Sequence, residues 1–428
     1  MSLAPDVVAA RPDGVSSDAG PSPSHARAQL HRRRYIPAFD GLRAVLVGAV
    51  LLYHLSGAML PTATGEVAVV CFFSLSGFLI TFLLADEHRR HGTIRLGGFF
   101  RRRALRLAPA LAALLAVWAV VALVFGHDTW ISAVPGGGPG GRIGPLTVAE
   151  TVGAAAAYVT NWLDALVQFN LWAGYSPLGH LWSLAVEEQF YIVWAPLVLL
   201  LMKTRRAGWW ISALALGFLL EPALLYSQGT NRVYFGTDTR MSALLAGAAV
   251  AWWWRSGLLA RWERSAATSL LGGISVLGLV VAGVGFRHPD VAWKWVGGML
   301  LASVCGAGVV AYLANRPDHS PVARALSGCA MVWLGRRSYA VYLWGYVFNT
   351  WFRSLGAACP PLTLVCTLAV ADASYRWVEQ PARAWARRRP RTRAATPPPT
   401  PAPAGRPAPP EAVVPAPALA TVGAEGAR

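Results

Sequence analysis

Ten runs of eighteen to twenty-five mostly apolar residues follow one another along this chain, at 40–60, 67–86, 104–126, 178–202, 209–226, 237–254, 268–286, 291–314, 331–352 and 361–378. A run of that length is what a helix rising ~1.5 Å per residue needs to cross ~30 Å of hydrocarbon. The expected class is therefore an all-α integral membrane protein of about ten transmembrane helices. Composition agrees, since 55% of the 428 residues are apolar and only 14% are charged. Mean hydropathy is +0.42, outside the range of ordinary soluble domains.

The net charge of +17 would suggest nucleic acid as the partner of a soluble chain. Here it reads as topology, because Lys and Arg collect on the cytoplasmic side of membrane proteins. "HRRR" (31–34) precedes the first run and "RRHGTIRLGGFFRRRALR" (89–106) separates the second from the third. "KTRR" (203–206), "RSGLLARWER" (255–264) and a basic run at 383–394 follow alternate later ones. The connections at 61–66, 227–236, 287–290 and 353–360 carry few positive charges. Ten spans with both termini cytoplasmic satisfy every flank, which makes the bilayer a partner and excludes nucleic acid. The plasma membrane is the expected location. "TVGAAAAYVTNWLDALVQF" (151–169) is apolar too, but counting it as a span would invert all that follows. The expectation is an outer loop over 127–177 containing an interfacial or re-entrant helix.

The ends read differently. Residues 1–33 contain no apolar core of a signal peptide and are expected to be a disordered cytoplasmic extension. Residues 387–428 open with "RRRPRTR" and continue rich in Pro and Ala, the composition of a disordered cytoplasmic tail. The membrane domain is then 34–386, with no room for a second folded domain after the last run. The five cysteines show no metal-ligand spacing and read as small apolar side chains.

Polar residues inside membrane segments are costly and mark function by default. Arg43 and His54 lie eleven residues apart in the first run, on nearly one helical face and roughly 16 Å apart along the axis. The ordinary alternative is a snorkelling arginine and a packed core histidine. In "HLWSLAVEEQFY" (180–191), His180, Ser183, Glu187 and Tyr191 recur at three- and four-residue spacing and form one stripe, with Glu188 and Gln189 on adjacent faces. His54 and Glu187 are expected at comparable depth, where a carboxylate could orient an imidazole as general base. A buried polar network locking two helices would leave the same stripe. Arg101, Arg102, Arg103 and Arg106 begin the third run. They fit positive-inside bias and a multiply phosphorylated ligand equally.

Seven pieces, in order, carry a resemblance. They are "FDGLRAVLVGAVLLYH", "FFSLSGFLI", "FFRRRALRLAP", "HLWSLAVEEQFYIVW", "TDTRMSALLAG", "LGRRSYAVYLW" and "SYRWVEQPAR". Over about 34–384 the chain resembles acyltransferase family 3, multispan membrane proteins that acylate hydroxyl groups, often on sugars. The resemblance implies that His54 is the catalytic residue, with Arg43 also important and Glu187 its plausible partner. It associates Arg103 and Arg106, with the neighbouring Arg102, with an acyl-coenzyme A donor supplied from the cytoplasm, acetyl-CoA by family habit. His180, Ser183, Tyr191 and, from "TDTR", Asp238 and Arg240 are supporting residues. No metal and no tightly bound cofactor is implied.

The acceptor class is a hydroxyl-bearing glycan, a glycolipid or a glycosylated small molecule. Relatives usually carry a histidine where this chain has Gly345, and many an aspartate where it has Ser242, which is expected to alter the acceptor pocket. Some relatives add an extracytoplasmic hydrolase-like domain. With only a tail after the last run, the expectation is direct acylation or transfer to a separate protein. The alternative from another class is a transporter or flippase using the same His, Arg and Glu as a proton or substrate path. A catalytically inactive scaffold is the third reading.

Overall fold

A computed structural model describes residues 35–56, 63–125, 148–166, 178–263, 265–285, 296–315 and 320–387. The two terminal extensions read as disordered, and most of the 127–147 and 167–177 loop, lie outside the described residues. Those described form helices and their connections, with no strand among them. By length and apolarity eight stretches among the described residues could cross a membrane.

The first three are α1 (Pro37–Ser56), α2 (Ala63–His91) and α3 (Leu96–Phe125). Two short helices follow, α4 (Val148–Ala156) and α5 (Thr160–Leu166). Next come α6 (Trp182–Leu201), α7 (Ala207–Leu224), the short α8 (Thr230–Phe235) and α9 (Thr237–Arg255). The remainder are α10 (Ala266–Gly285), α11 (Gly298–Asn315), α12 (Pro321–Leu326), α13 (Cys329–Phe352), α14 (Cys359–Ser374) and α15 (Gln380–Arg387).

The last two apolar runs fall in one stretch, 329–386, but Gly356 reverses the chain between α13 and α14. Its φ of 57° is open to glycine at no steric cost. The run at 237–254 is not among the eight. Its helix, α9, carries Asp238, Arg240 and Arg255, and it makes its most extensive contact with α2 in the interior of the bundle. A helix enclosed by other helices needs no lipid-facing surface, so it tolerates the polar residues that lower its apolarity.

Small residues set that packing. A Cβ on Gly77 of α2 would overlap the Leu244 carbonyl of α9, and one on Gly247 of α9 would overlap the Ser74 carbonyl of α2. Backbone thus meets backbone, as expected where lipid offers no hydrophobic drive and van der Waals contact must hold helices together. On the other side α1 packs along α13, and α6 lies against α2, α5 and α9.

The segment read as a non-spanning helix is two pieces of nine and seven residues, too short to cross. Tyr158, at φ 55°, breaks them. α5 is tied inward: Asn161 Nδ2 donates to the Phe235 carbonyl at 3.0 Å and to Thr237 Oγ1 at 2.9 Å. Gln189 Nε2 donates to the Tyr158 carbonyl at 2.6 Å and to Asn161 Oδ1 at 2.9 Å, and Trp162 Nε1 donates to Gln189 Oε1 at 2.9 Å.

Candidate active site

Helices α1, α2, α3, α6 and α13 enclose a cavity of about 320 Å³. Its polar lining comes from Arg43 of α1, Ser76 of α2, Arg103 and Arg106 of α3, and Ser183, Glu187 and Tyr191 of α6. Ser338, Tyr339 and Tyr342 of α13 complete it, and the remaining wall is Val, Leu, Ile and Phe. Three residues of the expected stripe, Ser183, Glu187 and Tyr191, therefore face one space, aligned by their spacing of four, whereas His180 stands outside this lining in the turn before α6.

The carboxylates there are engaged. Glu187 accepts from Ser76 Oγ at 2.7 Å and from Tyr191 OH at 3.2 Å, and lies 3.8 Å from the Arg103 guanidinium. Arg103 Nε donates to Glu188 Oε1 at 2.7 Å, and its guanidinium lies 3.5 Å over the Tyr191 ring. Planar stacking plus two carboxylates holds this arginine in one orientation. Arg43 pairs with Asp40 at 2.9 Å, one turn away. Arg106 differs: it lines the cavity, is exposed, and makes no direct ion pair or side-chain hydrogen bond among the described residues. An unpaired guanidinium facing a recess is a ready docking point for phosphate.

Not every expected residue joins this site. Arg102 turns outward and donates to Glu87 Oε2 at 2.8 Å, so the expected donor triad is divided. Asp238 is bound by Arg232, whose NH1 donates to Oδ1 at 2.8 Å, and it also accepts from Thr239 N at 2.9 Å. Arg240, 2% exposed, donates from Nε to the Tyr234 carbonyl at 2.6 Å and stacks on the Tyr234 and Trp182 rings. Both "TDTR" side chains thus build the α8–α9 corner rather than line the cavity.

The pairing expected between His54 and Glu187 is not formed. His54 lies against the Tyr346 ring at 4.7 Å, and Tyr346 lies against the His180 ring at 5.0 Å. His180 is thus the residue at the depth of His54. Glu187 lies seven residues further along α6, roughly 10 Å nearer the Arg43 end, and that difference in depth is why the carboxylate meets Arg103 instead. Ser183 and Tyr342 connect the two levels. Their hydroxyls are 3.1 Å apart, Tyr342 OH donates to the His180 carbonyl at 2.6 Å, and both residues line the cavity.

Ser76, Tyr339, Tyr342 and Tyr346 were not singled out from sequence. The signal was present for the last three, since residues 339, 342 and 346 repeat the three- and four-residue spacing of a helix face. Neither departure from the family pattern lines this cavity. A Cβ at Gly345 would stand 3.0 Å from Leu51 Cδ1 and 3.4 Å from Thr367 Cγ2, so this position faces the packing of α1 and α14. The Ser242 hydroxyl is 3.2 Å from that of Ser303 on α11.

A bundle of apolar helices around an arginine-lined recess defines a membrane protein with a polar internal cavity, and comparison with known proteins narrows the class. The family model for acyltransferase 3, described as an acyltransferase domain, matches residues 36–372; the chain belongs to that family. It is 31% identical over 375 residues to the peptidoglycan O-acetyltransferase OatA of Listeria monocytogenes, covering 83% of this chain and 57% of the relative. To the O-acetyltransferase OatA of Staphylococcus aureus it is 32% identical over 380 residues, 83% of this chain and 58% of the relative. A provisionally named O-acetyltransferase from another S. aureus strain matches at 32% over 371 residues, 82% of this chain and 58% of the relative. The chain thus spans less than two thirds of the length of these relatives. No solved structure matches it.

Proposed function

We propose that the chain is a membrane O-acyltransferase. It moves an acyl group, acetyl first among them, from acyl-coenzyme A at the arginine-rich end to a hydroxyl of a glycan acceptor. Arg106 carries this reading: a guanidinium open to the cavity and unpaired among the described residues, beside Arg43 and Arg103. Family membership counts against the transporter. Because relatives are named for peptidoglycan O-acetylation, a peptidoglycan-type glycan is the first acceptor to test. In this reading α9 and both helices of 329–386 are spans, which gives ten crossings of the plasma membrane with both termini cytoplasmic.

The chemistry follows from the two levels of the site. Donor phosphate docks on Arg106 with Arg43 alongside, and the thioester arm runs toward the Ser183–Tyr342 pair. That pair stands between the cavity and His54, so it swings aside for the acyl carbon to reach the imidazole. His54 takes the proton of the acceptor hydroxyl as the oxygen bonds to the acyl carbon. The carbon–sulfur bond breaks, and the leaving thiolate is reprotonated. A transient acyl-imidazole on His54 is the two-step version of the same exchange. Positioning and proton transfer are what the protein supplies, since thioester-to-ester transfer needs no large energy input.

The test uses inside-out vesicles given acyl-labelled acetyl-coenzyme A. Label should pass to acceptor with wild type and fall by about 100-fold or more with His54→Ala, as loss of a positioned base implies. Undiminished transfer by the variant would remove His54 from the chemistry.

A further inference from the structure

The cavity between α1, α2, α3, α6 and α13, at about 320 Å³, is near the lower limit of the roughly 300–1,000 Å³ that small-molecule pockets span. A coenzyme A thioester is larger than most such ligands. It joins a slender pantetheine arm to a phosphorylated adenosine. The arm suits the cavity, and the nucleotide has to rest elsewhere along the same path.

A second cavity of about 100 Å³ adjoins the first, with Arg43, Leu79 and Leu83 in the lining of both. Its other walls are strongly aromatic: Tyr35, Phe39, Phe78, Phe82 and Trp254. The rings brace one another, with Phe39–Phe78 centroids at 5.3 Å, Phe82–Trp254 at 5.4 Å and Phe78–Trp254 at 5.9 Å. Asp40 adds a carboxylate that accepts from Tyr35 OH at 2.6 Å and from Arg43 at 2.9 Å, with lone pairs left over. Two cations lie against rings of this wall. Arg255 lies 5.8 Å over the Phe82 ring and is held by Asp86 at 3.2 Å. Arg336 lies 5.7 Å from the Tyr35 ring and 3.8 Å from Asp40. A pocket for a lipid tail needs neither an acceptor carboxylate nor flanking guanidiniums. A planar heterocycle bearing an amino group and attached to phosphates uses the rings, the carboxylate and the cations together.

We propose that this aromatic pocket is the nucleobase subsite of the donor. The adenine ring stacks among Phe82, Trp254 and Tyr35 with its amino group toward Asp40, while Arg255 and Arg336 face the ribose 3′-phosphate and the diphosphate stays with Arg43 and Arg106. Arg43, in the shared wall, marks where nucleotide gives way to pantetheine. This rests on the acyl-coenzyme A reading above.

The test compares acetyl-coenzyme A with acetyl-pantetheine, which lacks the nucleotide, in inside-out vesicles bearing the full chain. Wild type should show the lower KM with acetyl-coenzyme A. Phe82→Leu and Trp254→Leu should each raise that KM about tenfold, the loss expected of one stacking ring. Both variants should keep wild-type kcat/KM for acetyl-pantetheine, which also reports that they are folded. Equal change with both donors, or no change with either, would assign the pocket to packing or a lipid tail and overturn the proposal. Wild-type KM values that match for the two donors would overturn the subsite alone. Transfer from neither thioester would overturn the donor reading and the subsite with it.

Discussion

Arg102 and Arg106 stand about one turn apart on α3, yet only one faces the cavity. Arg102 is paired with Glu87 at the surface, whereas Arg106 lines the cavity without a direct ion pair among the described residues. Arg106→Gln should raise the donor KM by about 10- to 100-fold, since a hydrogen bond to a charged group is worth ~1.5–3 kcal/mol. Arg102→Gln should leave it within about twofold. Steady-state kinetics with varied acetyl-coenzyme A separates the two, and equal effects would mean that the cavity does not bind the phosphates. Another residue, Asp164 on α5, is fully buried, and neither carboxylate oxygen has a hydrogen-bond partner among the described residues. Burial raises its pKa well above the ordinary value, so the folded chain holds a proton that the unfolded chain releases above about pH 4. Folding stability is then lost as pH rises from there through the folded-state value. Asp164→Asn should raise Tm in detergent by a few degrees at pH 8 and have little effect at pH 4. A variant that melts lower at pH 8 would show that the carboxylate is needed in its charged form.

At the scale of elements, the decisive contact is α2 against α9. Gly247→Val would drive a branched side chain into the Ser74 carbonyl, and overpacking of this kind costs about 1–3 kcal/mol. The expected result is a lower Tm and a smaller monodisperse fraction after purification. A variant as stable as wild type would show that the helices can separate without penalty. Most of the elements were legible in the sequence, because a twenty-residue apolar run in lipid can satisfy its backbone in few ways other than a helix. The break at Tyr158 was not legible. "TVGAAAAYVTNW" reads as continuous helix by propensity, and it is split because the side chains and backbone of 158–162 bond to Gln189, Phe235 and Thr237 instead. Those partners are 27 to 76 residues away in the chain, beyond any local pattern.

For the whole molecule, the arginine-rich end is the cytoplasmic end in the proposed topology. In a chain with its native cysteines replaced by serine, Ser256→Cys should react with an impermeant maleimide only in inside-out vesicles. Ser227→Cys should react only from the outer face. Labelling of both from one side would break the ten-span assignment. By itself the sequence determined the membrane class, the helices and the family, because each depends on local composition, spacing or motif order. It also placed Ser183, Glu187 and Tyr191 on one face, since helical periodicity alone sets that. Only the tertiary structure decided which residues meet. His54 was expected to meet Glu187 and instead shares its level with His180 and Tyr346, while Glu187 holds Arg103 and Ser76. Periodicity fixes the angle of a side chain around its own helix. The relative height of two helices, a few ångströms either way, is set by how small residues such as Gly77 and Gly247 let their backbones approach, and no single segment encodes that.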